Sequence, residues 1–547
     1  MSARAWIPVA VLVFGTSACA GSGQAIPRGG HASSVKARVP VGFTMHWPAR
    51  SAALIKRRPA FVSPSTQSVV IEVNPDAATP GPVTFANAPS SGGGTSTITI
   101  DAPAGNDVFV ISLYDQAQVT SETAATGNEL GRVTVAQTIV ANTTNTLSAT
   151  VIGTVASVRI GPLPNQNNVI AAAGSAPPAF ELVGRAPATF TVAPLDVDGN
   201  VIVQPDAPPA IALTANVRAT SILSVTPVSG ATGQYAVQAI APNTTAYPTS
   251  LVATAFDANG SSATSSEIVD VTSAVYVAYA NGGAPAVARF DPRGASLPLP
   301  AGTFAGLQNP VALAYDPDDR EILVADAGLG KVFAFDENGT ALGSFAPQVV
   351  AGVNGVAYDP NDGNVYVSGS GGVTVFSPTG GAPNGGVPAT FAAANAQGIA
   401  YVALTPTVLL NRIAVGNTAT PALSFFSETG SGRGSSALNA APVAIAYGSP
   451  LTASRSPQTT AQLYVTGAAA AVAAFDATGT PVTSIPDSGG PFGIAVDPNS
   501  REPQVAERSG NAVTTYLDDL SAVDPARSFS TPSALGLTQP QGVCDVF

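Results

Sequence analysis

One turn recurs through the second half of the chain and constrains the fold more than any other feature. An aromatic residue ends a short apolar run, Asp or Ser follows it, and Gly stands three residues further on. The copies are Phe290-Asp291-Pro292-Arg293-Gly294, Phe335-Asp336-Glu337-Asn338-Gly339, Phe376-Ser377-Pro378-Thr379-Gly380, Phe426-Ser427-Glu428-Thr429-Gly430 and Phe475-Asp476-Ala477-Thr478-Gly479. Tyr516-Leu517-Asp518-Asp519-Leu520 is a degenerate sixth. An Asp or Ser side chain accepts from its own backbone two residues on, and Gly supplies a positive φ, so each copy closes a hairpin. The spacing of roughly 40–50 residues is that of propeller blades.

The clearest full unit runs from Asn309 to Phe345. Three runs, Val311–Tyr315, Glu321–Asp326 and Lys331–Asp336, are separated by turn residues, with a fourth from Ala341 to Phe345. That is a four-stranded meander. Its first run recurs at Gly355–Tyr358, Gly398–Tyr401, Val443–Tyr447, Gly493–Val496 and Gly542–Asp545. These runs are rich in Ala and apolar on both alternating faces, as expected of strands sandwiched between neighbouring sheets near an axis. The pattern Pro-x-Ala-x-Ala-x-Asp, Leu-Val-Ala-Asp, Val-x-Ala-Phe-Asp resembles the NHL-repeat propellers and, more broadly, the six-bladed gluconolactonase and streptogramin-lyase group. The resemblance covers about residues 274–547. It implies a six-bladed β-propeller; members of that group include enzymes, scaffolds and binding modules, so it does not fix a function.

The two ends of this region complement each other. Ala274–Tyr279 matches a second strand of the unit, and Gln541–Phe547 matches a first strand. Pairing them closes the ring and removes two open edges.

Charged residues make up only 10% of the chain, while Gly and Pro number 54 and 47, which favours an all-β protein over one built from amphipathic helices. The net charge is −12. Residues 1–60 nevertheless hold eight Lys or Arg and no acid, so the remainder is strongly acidic. An acidic body excludes nucleic acid as the main partner.

Residues 1–20 read as a signal peptide: Arg4, an apolar run from Ala5 to Phe14 too short to span a bilayer, then small residues. Thr16-Ser17-Ala18-Cys19 resembles a bacterial lipobox, which implies lipid on Cys19; ordinary cleavage after Ala20 is the alternative. The expectation is an exported chain at the cell envelope or surface, touching membrane only through that lipid. Residues 21–64 read as a flexible tether. Residues 65–161 read as a β-sandwich, 162–178 as a linker, and 179–273 as a second sandwich that resembles bacterial immunoglobulin-like domains, notably at Pro194-Leu195-Asp196-Val197-Asp198-Gly199-Asn200. Asp196-x-Asp198-Gly199-Asn200 lacks the further acidic positions of a Ca²⁺ loop and reads as a hairpin turn. Cys544, in a predicted inner strand, reads as a buried inert thiol.

Candidate chemistry gathers at one face of the propeller. Loops leading into first strands carry Asn309, Asn354, Gln397, Asn439 and Gln541, and loops after second strands carry Asp326, Asn417 and Glu507. Streptogramin-lyase-like chemistry wants a His base, and both histidines, His31 and His46, lie before residue 65. Gluconolactonase-like chemistry would use a divalent metal, Ca²⁺ or Mg²⁺, on such oxygen-rich groups. The candidate ligand-binding set is therefore Asn309, Asp326, Asn354, Gln397, Asn417, Glu507 and Gln541, with no catalytic residue assigned and no cofactor required. Two functions follow. The first is a monomeric, non-enzymatic surface protein whose sandwiches present the propeller to a protein or carbohydrate ligand. The alternative is a metal-dependent lactonase of the envelope. The Asp-Pro turns at Asp316, Asp359 and Asp497 read as hairpin closures forming a weak acidic rim.

Overall fold

The computed structural model describes residues 37–547 apart from 48–62, 64, 79, 91–93, 119–124, 172–178, 203–208, 217–218, 244–248, 281–286, 301, 343–347, 404–411, 449–462 and 532–535. The expected signal peptide, with Cys19, and His31 lie outside the described residues. Every regular element among the described residues is a β-strand.

The first sandwich begins earlier than its sequence suggests. Arg38–Trp47, expected within the tether, is a ten-residue strand paired antiparallel with Gly94–Pro103. Val39, Val41, Phe43, Met45 and Trp47 alternate inward with period two, which decides the matter over the basic residues around them. They pack on Val69, Ile71, Phe109 and Ile111 of the facing five-stranded sheet. His46 sits on the outer face beside the Thr95 hydroxyl, 3.1 Å away.

The boundary between sandwiches also moves. Ser157–Pro162, expected in the first, pairs with Ala188–Leu195 of the second. The expected linker contains a strand, Val169–Ala171, paired with Phe180–Val183. The second sandwich stacks a five-stranded sheet on a four-stranded one around Leu182, Phe190, Val237 and Leu251. Its Asp196 is a turn residue: one carboxylate oxygen accepts from the backbone N–H of Asp198 and Asn200.

From residue 274 the chain forms six four-stranded antiparallel sheets. Sheet A contains Ala274–Tyr279, Val287–Phe290 and Ser296–Leu297, with Pro540–Val546 as its fourth strand. Sheets B to F are meanders beginning at Pro310, Gly355, Ala396, Pro442 and Pro491. The first strands of B to F lie each beside the next, and Pro540–Val546 lies beside the first strands of both F and B. This is a β-propeller. The fourth strand of sheet B is Gln348–Val349, later than the expected Ala341–Phe345; Ala341 makes only an isolated bridge to Phe335.

The recurring turn works as its chemistry dictates. In Asp336-Glu337-Asn338-Gly339 one Asp336 oxygen accepts from the backbone N–H of Asn338 and Thr340, and Gly339 has φ 79°. Ser427 does the same for Ser431 through its hydroxyl. Sheets are also stitched across. Tyr276 and Tyr464 donate their hydroxyls to the carbonyls of Glu337 and Asp518, in the corresponding turn of the following sheet, at 2.5 and 2.6 Å.

The last strand carries two structures at once. Ala274 pairs with Val546, Tyr276 with Cys544 and Ala278 with Gly542. All seven residues of Pro540–Val546 are buried, and Phe547 reaches into the core cluster of the second sandwich. The Arg185 guanidinium lies over its ring, 4.9 Å from the centroid. Burial raises the Cys544 thiol well above its usual range, with the Asp545 charge adding to it.

Asp545 is the anomaly of this strand. Neither of its carboxylate oxygens has a hydrogen-bond partner among the described residues. Burial lifts its pKa well above the usual carboxylate range; Asp497 lifts it further, Arg527 opposes, and Glu502 adds to the rise. The folded protein therefore holds a proton that the unfolded chain releases, so stability falls as pH rises above the ordinary carboxylate value. We expect Asp545→Asn to gain more stability over the wild type at pH 8 than at pH 5. Thermal unfolding at the two pH values measures it, and a gap independent of pH would contradict it.

Candidate functional site

In a four-stranded meander the start of the first strand and the end of the second share one face. Pro310 stands opposite Asp326, Ala396 opposite Asn417 and Pro491 opposite Glu507. The seven candidate residues therefore occupy one face of the disc. Around the axis is a cavity of about 80 Å³ with walls from all six sheets, including Ala312, Gly355, Gly398, Ala444, Gly493 and Gly542. Of the seven candidates only Asn354 and Gln397 line it.

Bulges shape this mouth. The pairing slips at the start of the first strands of B, D, E and F and beside Pro540. A bulge takes residues out of the ladder and re-aims them. The freed carbonyls are held by hydroxyls of the preceding sheet: Ser368 donates to the Gln397 carbonyl, and Thr466 donates to that of Phe492 at 2.7 Å. Close packing at the axis needs glycine, since a Cβ on Gly398 would stand 2.6 Å from Cα of Ala444.

The amides bridge neighbouring sheets. Gln541 donates from Nε2 to Oδ1 of Asn309 at 3.1 Å, and Asn354 donates from Nδ2 to the Ala396 carbonyl at 2.9 Å. Asn417 accepts from the backbone N–H of Ala419 at 3.0 Å and caps its own hairpin.

The carboxylates are committed elsewhere. Asp326 is fully buried and accepts from the backbone N–H of Gln308, Asn309 and Leu329 at 2.6, 3.1 and 3.0 Å. It organises the loop that leads into the channel. Glu507 accepts from the Thr514 hydroxyl and rests against Gly489 and Gly510. Burial raises its pKa, Thr514 opposes, and Asp487 adds to the rise. Among the described residues no group of three His, Cys, Asp or Glu comes close enough to hold a metal ion.

Two groups at the mouth escaped the sequence reading. Phe492 lines the cavity, and the Arg508 guanidinium stacks on its ring at 5.2 Å. The visible signal was position alone: Phe492 follows the strand start at Pro491, and Arg508 follows the strand end at Glu507.

The opposite face is occupied. Ends of first and third strands meet the second sandwich there. Arg185 donates to the Pro317 carbonyl at 3.3 Å, the Asn243 backbone N–H donates to Oδ1 of Asn499 at 2.9 Å, and Arg293 pairs with Glu181 at 2.6 Å. Ser273 donates to Asp497 at 2.8 Å, and Arg527 pairs with Asp497 at 2.9 Å. The turn acids here do not form a rim: Asp316, Asp359 and Asp497 are buried. Asp359 is pushed up to about 7 by burial, despite the Asn361 backbone N–H, with Asp362 and Glu428 adding.

No known family profile and no curated protein matches the chain. Among solved structures it is similar to a chain of the nidogen/laminin complex, with 14% identity and a TM-score of 0.36, covering 50% of this chain and 98% of that one. It is also similar to a protein of unknown function from Bacteroides caccae, with 12% identity and a TM-score of 0.33, covering 50% and 99%. Likenesses this distant carry no argument about ligands, and the propeller rests on the strand order and contacts above.

Asp326→Ala leaves three backbone N–H groups without their acceptor, each costing about 1–3 kcal/mol where water does not replace it. The expected result is a marked loss of stability in denaturant unfolding. A variant as stable as the wild type would show that these hydrogen bonds do not hold the loop.

Proposed function

We propose that this chain is a binding protein of the cell envelope or surface, in which immunoglobulin-like sandwiches present an NHL-like six-bladed propeller. The ring is closed by the C-terminal strand, the chain is tethered through lipid on Cys19, and it acts as a monomer. The observation that carries this reading is polarity: the second sandwich grips the face of strand ends at Pro317, Asn499 and Phe547, so the amide-rich face with Asn354 and Gln397 points away from it. A surface stalk leaves that mouth free for a ligand. The cavity of about 80 Å³ is smaller than the ~150 Å³ that admits benzene, so the ligand lies across the mouth and not within the channel. Amides with donor and acceptor ends suit sugar hydroxyls or peptide groups.

The test is capture of glycans on an array and of envelope proteins by the full-length chain, compared with the Asn354→Ala/Gln397→Ala double variant. The reading predicts at least about a tenfold loss of affinity in the variant while it remains folded. Equal binding by the variant, or metal-dependent lactone hydrolysis by the wild type, would contradict it.

A further inference from the structure

A second cavity, of about 340 Å³, opens between sheets D and E. One wall is the crossover Leu438 to Ala440; the other is built from Val465, Ala471, Ala473, Phe475 and Val482 of sheet E. It is about four times the volume of the central cavity and shares no lining residue with it. Its origin is legible in the repeat. Two residues before the aromatic of the turn, sheet B has Phe333, whose ring lies 6.4 Å from Phe335. Sheet E has Ala473 at that place, before Phe475, and Ala471 two residues earlier. Two methyl groups stand where sheet B places longer side chains, Phe333 and Lys331.

The lining selects a ligand class. Among the described residues none that lines it is ionisable, and Leu438, Pro442, Val465 and Phe475 make the surface largely apolar. Asn439, Thr483 and Ser484 supply hydrogen-bonding groups, and Val482 at the rim is 41% exposed. A charged ligand would lose its hydration here with no counter-charge. An apolar pocket of this size with a few polar groups is the usual form of a small-molecule site.

We propose that the cleft between sheets D and E binds a small, neutral, largely apolar molecule, such as a one- or two-ring aromatic compound with a single hydrogen-bonding group. The site is independent of the channel mouth.

The test is fluorescence titration of the full-length chain with neutral N-phenyl-1-naphthylamine and with the anionic anilinonaphthalene sulfonate. The expected result is saturable binding of the neutral probe, about tenfold tighter than the anion. Ala473→Phe should fill the cleft and weaken the neutral probe by about tenfold or more, with unfolding unchanged. Asn354→Ala should leave the titration as in the wild type, which separates this site from the mouth. Should Ala473→Phe misfold, Val482→Asp places a charge at the rim and is expected to give the same loss. Absence of saturable binding in the wild type, equal affinity for the anion, or undiminished binding by a folded Ala473→Phe or Val482→Asp variant would each overturn the proposal.

Discussion

The pairing of Pro540–Val546 with Ala274–Tyr279 is the contact on which the rest depends. It supplies sheet A with the strand nearest the axis, and it sets that strand beside the first strands of sheets B and F. Without it the propeller region would have an open edge at each end, and backbone donors and acceptors there would face water or another chain. The same strand ends in Phe547 within the core of the second sandwich. Full burial of a side chain of that size is worth about 1.5–3 kcal/mol. The last strand thus adds an apolar contact between propeller and second sandwich to the polar ones on the same face, with Val183 of the sandwich returning the contact into the cluster around Tyr276 and Val546.

That junction concentrates charge as well as apolar contact. Asp497 is held by Arg527, Ser273 and Asn499, while Asp545 next to them has no partner among the described residues. A buried pair needs its remaining hydrogen bonds satisfied to break even against desolvation. Asp497 meets that condition and Asp545 does not, so the cost of burying the last strand rises with pH. The junction also fixes direction. The sandwich covers strand ends on one face, and the amides, bulges and Phe492 gather on the other.

Much of this was legible in the chain. The Phe-Asp and Phe-Ser turns read correctly because their mechanism is local: a side-chain acceptor and a positive-φ glycine need no tertiary context. The last strand read correctly because a first-strand pattern at the end met a second-strand pattern at residue 274. What failed had non-local causes. Arg38–Trp47 was hidden by flanking basic residues although Val39, Val41 and Phe43 alternate cleanly. Ser157–Pro162 and Val169–Ala171 are short, and only their partners reveal which sheet they join. The face bearing Asp326 and Glu507 followed from strand order, but their commitment to Leu329 and Thr514 did not. Side-chain roles depend on loop conformations that no pattern of alternation encodes.

Amide hydrogen exchange across the closing strand tests the central claim most directly. If the strand joins propeller and second sandwich, the amides of Val543 to Val546 exchange only through global opening, as slowly as those of Val275 to Ala278. Exchange at the rate of a frayed terminus, with residues 274–279 still protected, would contradict it.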